Sequence, residues 1–168
     1  EMLTTMLRGN GYAVGKYTSP HITDIRERII VNAEMIEEEE FAQTVAAVVA
    51  AAKKRGVTPT FFELITATAF KYFAEKAVDI AVIETGLGGR LDSTNVINPI
   101  LTLITQIDLD HMHILGDTVE EIAKEKAGIF KKSIPAISCQ QNDAISDVLR
   151  ACAEKTECDF EMVGTEIE

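Results

Sequence analysis

Two short, unbroken apolar runs limit the fold of this 168-residue sequence more than any other feature. Residues 80–83 read Ile-Ala-Val-Ile, and residues 101–104 read Leu-Thr-Leu-Ile. A strand with one face in solvent alternates apolar and polar residues, whereas a strand covered by helices on both faces is apolar throughout. The two runs therefore predict strands of a parallel sheet that is covered on both sides.

Helical patterns separate these runs from further strand-length segments. Apolar residues recur at helical spacing, and the sequences that follow Thr60 and Thr118 have the form of capping boxes. The predicted helices are 1–8, 41–52, 60–73, 118–128 and 143–155. The other predicted strands are 12–17, 28–31, 134–138 and 160–163. This alternation predicts an α/β fold, a three-layer sandwich with a mostly parallel sheet, in one domain.

The charge balance excludes several classes of partner. Sixteen basic and 27 acidic residues give a net charge of −11, which argues against binding to nucleic acid or to an anionic membrane surface. No uncharged apolar run approaches the length of a membrane span. The three cysteines lack the close spacing of a zinc or redox motif. We therefore expect a protein of the cytoplasm without a membrane segment.

Polar residues follow both apolar runs at the position where parallel sheets bind ligands. Glu84 follows the first run and precedes the glycine-rich segment 85–89, and Asp108, Asp110 and His111 follow the second run. An acidic residue beside a glycine-rich loop suits Mg²⁺ bound to nucleotide phosphates. Equally, Glu84 could face solvent at a strand end and the glycines could form a turn.

Lys126 is unusual because it falls on the apolar stripe of its predicted helix, together with Val119, Ile122 and Ala123. On periodicity alone, the simpler interpretation is favoured, in which the stem packs and the ammonium reaches solvent near the helix end. Segment 90–95 could line a substrate pocket or cap the next element, and segment 18–21 alone is a polar turn.

These signals occur together in one order that resembles a known family. The segments that carry the resemblance are Tyr17-Thr18-Ser19-Pro20-His21, Phe61-Phe62-Glu63, 84–95 (ETGLGGRLDSTN), Asp108-Leu109-Asp110-His111 and Glu125-Lys126-Ala127-Gly128-Ile129. They resemble folylpolyglutamate synthases and bifunctional dihydrofolate synthases of the Mur ligase superfamily. The resemblance implies the central ATPase domain of these enzymes, here incomplete.

The resemblance also implies a reaction. ATP phosphorylates a carboxylate of dihydropteroate or of a folate, and the amino group of L-glutamate attacks the acyl phosphate. Two Mg²⁺ ions take part. Glu84 and Ser19 match ligands of these ions, His111 matches a ligand of the second ion, and Lys126 matches a lysine that the family carries as a carbamate.

The remaining site residues are also expected from the resemblance. The residues expected to bind the nucleotide are Ser19, Gly86, Gly88, Gly89 and Asn95. The residues expected to bind the acid substrate are Phe62, Arg90, Asp92 and Ser93, with Phe61 helping to shape that side. The expected partners are small molecules, namely ATP, dihydropteroate or folate, and L-glutamate.

The sequence departs from the family pattern at both ends. The phosphate loop, which ends in Gly-Lys-Gly-Ser/Thr, should lie just before Glu1, and the C-terminal domain should follow Glu168. We therefore expect residues 1–168 alone to be inactive, the parent protein to be a monomer, and the unpaired sheet edge to favour self-association of the fragment. The alternatives are a Mur-type ligase of peptidoglycan precursors and a non-catalytic, self-associating fragment.

Overall fold

The computed structural model describes residues 1–164, which divide into two compact units, one formed by Glu1–Gly86 and the other beginning at Leu87. Each unit has its own hydrogen-bonded sheet and its own cluster of buried apolar side chains. Alternating helices and strands with parallel strand pairs confirm the predicted α/β class.

The first unit contains a four-stranded mixed sheet. Its elements are α1 (Met2–Gly9), β1 (Val14–Tyr17), a 3-10 helix (Ile25–Arg28), β2 (Ile29–Val31), β3 (Glu34–Met35), α2 (Glu38–Lys54), α3 (Phe61–Glu75) and β4 (Ile80–Ile83). The strand order is β3-β2-β1-β4, in which β1 and β4 are parallel and the other two pairs are antiparallel. The sequence did not predict the short strand β3 or the 3-10 helix.

Helix α3 supplies much of the core of the first unit. Thr60 caps it as predicted, because its hydroxyl accepts from the Glu63 amide while the Glu63 carboxylate accepts from the Thr60 amide. Ile65, Ala69 and Phe73 of this helix are buried with residues of the sheet. A Cβ at Gly15 of β1 would lie 2.9 Å from the Phe73 ring. The glycine therefore allows α3 to pack closely against β1.

The second unit contains a three-stranded parallel sheet in the order β5-β6-β7. Its elements are a 3-10 helix (Ser93–Val96), β5 (Thr102–Ile104), α4 (Met112–Leu115), α5 (Val119–Lys126), a 3-10 helix (Ala127–Ile129), β6 (Ala136–Cys139), α6 (Asp143–Thr156) and β7 (Phe160–Val163). Thr118 forms the predicted capping box of α5. Ile122 of α5 and Ile145 and Leu149 of α6 lie in one buried cluster with residues of the sheet. The two helices therefore pack against the sheet.

The two apolar runs form strands, but the prediction that both faces of each are covered is wrong. Ala81 in β4 is exposed, and Leu103 in β5 is 47% exposed. Both strands are the last in their sheets as hydrogen-bonded in residues 1–164. An apolar side chain in a strand is compatible with exposure, because much of the surface of folded proteins is apolar.

Within the described part of the chain, no helix combines the length and the apolar character that crossing a bilayer requires.

The connection between β1 and β2 is held by one carboxylate. Glu27 accepts hydrogen bonds from the amides of Ile22, Thr23 and Asp24 at 2.7–2.9 Å, and from the Thr23 hydroxyl at 2.7 Å. These donors, first the Ile22 amide and then the Asp24 amide, lower the pKa of Glu27 from 4.5 to about 2. The ionised Glu27 carboxylate accepts hydrogen bonds from three consecutive residues of this connection. It therefore fixes the conformation of the segment that follows the polar turn after β1.

We predict that Glu27 makes the free energy of unfolding depend on pH in the acid range. Its pKa is lower in the folded chain, so its stabilising contribution is complete above about pH 4.5 and is lost as the pH falls towards about 2. Glu27→Gln should remove this part of the decline, measured by urea unfolding at several pH values. The control is Glu34→Gln, at an exposed carboxylate that accepts no side-chain hydrogen bond in residues 1–164. Equal acid dependence in the wild type and the Glu27 variant would contradict the prediction.

Candidate active-site residues

The first unit brings Ser19 and Glu84 together. Parallel pairing aligns Tyr17, the last residue of β1, with Ile83, the last residue of β4, and the Glu84 amide extends the ladder to the Tyr17 carbonyl at 2.9 Å. Beyond this point the Ser19 amide donates to Glu84 Oε2 at 2.8 Å. Two residues 65 positions apart thus meet at the carboxyl end of the sheet, where parallel strands bind ligands.

Phe62 and Gly86 are in direct contact. A Cβ at Gly86 would lie 2.3 Å from Phe62 Cζ, so a larger residue would displace the aromatic ring. The Phe62 ring is partly buried, and its centroid is 6.1 Å from that of Tyr17. Phe61, its neighbour, is 55% exposed. Phe62 therefore supports the loop after β4, whereas Phe61 has the exposed ring surface.

In the second unit the glycine-rich loop packs against the end of α5. The Arg90 amide donates to the Glu125 carbonyl at 2.9 Å, and Arg90 Nε lies 3.0 Å from Glu125 Oε1. A Cβ at Gly89 would lie 2.7 Å from the Lys126 carbonyl oxygen, and one at Gly128 would lie 2.3 Å from Arg90 Cβ. The two glycines therefore allow loop and helix end to approach closely.

The neighbouring Gly88 has φ +65°, a conformation that favours glycine. A Cβ there would also lie 2.7 Å from Leu115 Cδ2. Conformation and packing therefore both account for this glycine.

Asp92 organises the loop in which it lies. Its Oδ1 accepts from the amide and the hydroxyl of Thr94, at 2.9 and 2.5 Å, and its Oδ2 accepts from the Leu87 amide at 2.9 Å. The carboxylate thereby caps the 3-10 helix that begins at Ser93. The fold thus uses Asp92 to shape the loop, and Ser93 is partly exposed beside it.

Asn95 ties the same loop to the segment after α5. Its side-chain amide donates to the carbonyls of Arg90 and Gly128 at 3.1 and 3.0 Å. Its own carbonyl accepts from Lys131 Nζ at 3.0 Å. The amide nitrogen is therefore committed to the protein, while no hydrogen bond of the Asn95 side-chain oxygen is formed within residues 1–164.

His111 lies at the start of α4 in a left-handed conformation with φ +49°. Such a backbone is uncommon for residues other than glycine. The imidazole is 51% exposed, and its Nε2 is 3.6 Å from Asp110 Oδ2. Its ring centroid is 6.3 Å from that of His113. His111 is therefore accessible to a ligand.

Lys126 is the last residue of α5 and is only partly buried, although Ile122 and Ala123 in the preceding turn are fully buried. Lys126 thus lies on the same face of α5 as these two buried residues, as the sequence predicted. Its side chain is partly exposed. Within the described residues, its ammonium makes neither a hydrogen bond nor an ion pair. The group is consequently available for a ligand or for modification.

The donor chemistry in the first unit fits Mg²⁺. Glu84 and Ser19 offer a carboxylate and a hydroxyl, which are the hard oxygen ligands that this ion prefers. Neither Glu84 Oε1 nor Ser19 Oγ forms a hydrogen bond with residues 1–164, so both oxygens are available. Across these same residues, no three His, Cys, Asp or Glu side chains form a group that could hold a metal ion.

Arg28 is a buried charge that the sequence pattern did not identify. It is 8% exposed, and its Nε donates to His21 Nδ1 at 2.9 Å. An arginine at the start of a predicted strand gave no sign of burial. The only available signal was its proximity in sequence to the polar turn that contains His21.

Comparison with known proteins places these residues in context. The sequence profile of the Mur ligase middle domain matches residues 27–168. A dihydrofolate synthase/folylpolyglutamate synthase of Bacillus subtilis is 46% identical over 164 residues, which are 95% of this chain and 38% of that protein. The chain therefore spans about two fifths of that relative.

Solved structures are similar to this chain as well. An FPGS–AMPPCP complex superposes with a TM-score of 0.91 at 39% identity, covering 95% of this chain and 41% of the other. An FPGS–AMPPCP–folate complex gives a TM-score of 0.91 at 39% identity, covering 95% and 40%. The similarity thus extends over nearly all of the present chain.

We predict that Gly89→Ala destabilises the fold by about 1–3 kcal/mol, because the added methyl group would overlap the carbonyl oxygens of Glu125 and Lys126. Gly9→Ala is the matched control, since nothing lies within 4 Å of a Cβ there and alanine favours the helix. Urea unfolding followed by circular dichroism measures both changes. Equal unfolding free energies for the two variants would show that the loop does not pack as described.

Proposed function

The chain belongs to the Mur ligase middle-domain family, and we propose that residues 1–168 form part of the ATP-binding domain of a ligase. This ligase joins L-glutamate to dihydropteroate, to a folate, or to both. The observation that carries the proposal is the contact between the Ser19 amide and the Glu84 carboxylate at the carboxyl ends of two parallel strands. The similarity to a dihydrofolate synthase/folylpolyglutamate synthase supports the choice of substrates.

The proposed reaction has two steps. A carboxylate oxygen of the acid substrate forms a bond to the γ-phosphorus of ATP while the bond to the β-phosphate oxygen breaks, which gives an acyl phosphate and ADP. The amino nitrogen of glutamate then forms a bond to the acyl carbon, phosphate leaves, and the nitrogen loses a proton. The product is an amide.

Several residues are proposed to hold two Mg²⁺ ions. Glu84 and Ser19 supply oxygen donors in the first unit, and His111 and Lys126, as a carbamate, supply donors in the second. When bound, the ions offset the repulsion between the attacking carboxylate and the triphosphate. The available Glu84 and Ser19 oxygens and the left-handed, exposed His111 support this assignment.

The Lys126 carbamate is consistent with its surroundings. The Lys126 ammonium would lose a proton, and the neutral amine would then add to the carbon of CO₂ and lose a second proton, so that a cation becomes a carbamate anion. The side chain is partly buried and forms no ion pair within residues 1–164, so no carboxylate described there holds it in the ammonium form.

The remaining residues are proposed to bind the substrates. We assign Gly86, Gly88, Gly89 and Asn95 to the nucleotide, together with Ser19. We assign Phe62, Arg90, Asp92 and Ser93 to the acid substrate. Because Asp92 and Asn95 already hold the loop, their contribution is to shape the binding surface. We place the reaction in the cytoplasm, where the three free cysteines would remain reduced.

The complete polypeptide that contains this chain should form ADP and a glutamylated product when given Mg-ATP, L-glutamate and either dihydropteroate or tetrahydrofolate. Glu84→Gln should lower kcat/KM on the order of 100-fold, because the amide keeps the shape but loses the charge. Product formation is measured by chromatography with labelled glutamate.

The matched control is Glu120→Gln, at an exposed carboxylate on α5. It should leave the rate of ligation unchanged. Failure of the wild-type polypeptide to glutamylate either acid would overturn the proposed function. A Glu84→Gln variant with wild-type kinetics would overturn the metal assignment alone.

We predict that Lys126 carries a carbamate. With ¹³C-bicarbonate, the protein should show a carbamate carbon resonance that is absent in Lys126→Ala and retained in Lys124→Ala, at an exposed lysine of the same helix. Ligation by the wild type should also fall when CO₂ is removed. A resonance that persists in the Lys126 variant would contradict the assignment.

A further inference from the structure

Arg28 is a buried cation of the first unit. It is 8% exposed, and no Asp or Glu forms an ion pair with it among residues 1–164. A charge that is largely removed from water costs free energy unless an opposite charge or several hydrogen bonds compensate it. Arg26, two residues away, has an opposite charge beside it, because its Nη2 lies 2.7 Å from Asp24 Oδ2.

The contacts of Arg28 fix its position without neutralising it. Its Nε donates to His21 Nδ1 at 2.9 Å, which requires that this nitrogen carry no proton. Its Cζ lies 5.6 Å from the centroid of the Phe61 ring, within the range of a cation–π contact. One imidazole and one aromatic ring thus orient the guanidinium, and no carboxylate of residues 1–164 pairs with its positive charge.

The two terminal nitrogens of Arg28 are open to a ligand. Neither donates a hydrogen bond within residues 1–164. Thr102 Oγ1 is the one fully buried side-chain nitrogen or oxygen without a hydrogen-bond partner in this part of the chain, so the two Arg28 nitrogens, which also lack such a partner here, are not fully buried. A guanidinium fork of this kind matches the two oxygens of a carboxylate or the oxygens of a phosphate.

The location of Arg28 connects it with the end of β1. Tyr17 pairs with Ile29, and the Thr18 amide donates to the Arg28 carbonyl at 3.2 Å. Arg28 therefore lies beside the residue that precedes Ser19. Phe61 is 55% exposed next to the guanidinium and provides an apolar surface for the remainder of a ligand.

We propose that Arg28, positioned by His21 and Phe61, is an oxyanion-binding residue that receives the carboxylate of an aromatic acid. Its identification with the acid substrate of the ligase rests on the proposed function, whereas the anion site itself rests on the geometry of the first unit. The bound carboxylate would supply the negative charge that no Asp or Glu of residues 1–164 provides to Arg28.

Binding of 4-aminobenzoate to the intact chain tests the site directly. Backbone amide resonances of Thr18 and Phe61 should shift saturably with 4-aminobenzoate and not with the uncharged 4-aminobenzamide. Arg28→Gln should weaken the binding by at least about tenfold, the size expected for loss of a charge-assisted hydrogen bond. Arg26→Gln is the matched control and should bind as the wild type does.

Inorganic phosphate is titrated in parallel. Saturation by phosphate without saturation by 4-aminobenzoate would overturn the carboxylate assignment. No saturable shift with either anion would overturn the site, and this result comes from the wild type even if Arg28→Gln fails to fold. Saturable 4-aminobenzoate binding in a polypeptide without ligase activity would refute the proposed function and retain the site.

Discussion

The parallel pairing of β1 with β4 is the constraint on which the candidate site of the first unit depends. Its register joins Val14 to Ile80 and Tyr17 to Ile83, so both strands end at the same level. A shift by one residue would turn every side chain to the other face of the sheet. Glu84 meets the Ser19 amide because this register holds, and buried Tyr17 and Phe73 hold it in turn.

In the second unit, the main constraint is that the carbonyl groups at the end of a helix need hydrogen-bond donors. The last carbonyls of a helix lack intrahelical partners. In α5, the Glu125 carbonyl accepts from the Arg90 amide, and the Gly128 carbonyl that follows accepts from the Asn95 side chain. The glycine-rich loop is thus a structural partner of α5, and its sequence is constrained by packing as well as by any ligand.

The sequence predicted whether most segments form helices or strands. It did not predict which residues contact one another or which faces of the strands are exposed. Capping boxes at Thr60 and Thr118 marked the starts of α3 and α5 because capping is a local interaction. The exposed face of β4 could not be predicted, since exposure depends on what lies beside a strand and not on its own residues. Likewise, the position of Glu84 after a strand could be predicted, whereas its contact with Ser19 depends on pairing across 65 positions. The metal and substrate roles of the site residues stay predictions.

Arg28 shows why a charged residue can be overlooked in a sequence and still stand out in a structure. An arginine beside a strand is ordinarily a solvated residue, and the residues next to Arg28 in the sequence give no sign of its burial. Arg26 pairs locally with Asp24, two residues before it, whereas Arg28 lies between His21 and Phe61, and its contact with Phe61 depends on tertiary structure. An imidazole and an aromatic ring orient this guanidinium without supplying a negative charge. The free-energy cost of burying that charge is therefore lowest when a ligand provides an anion beside it.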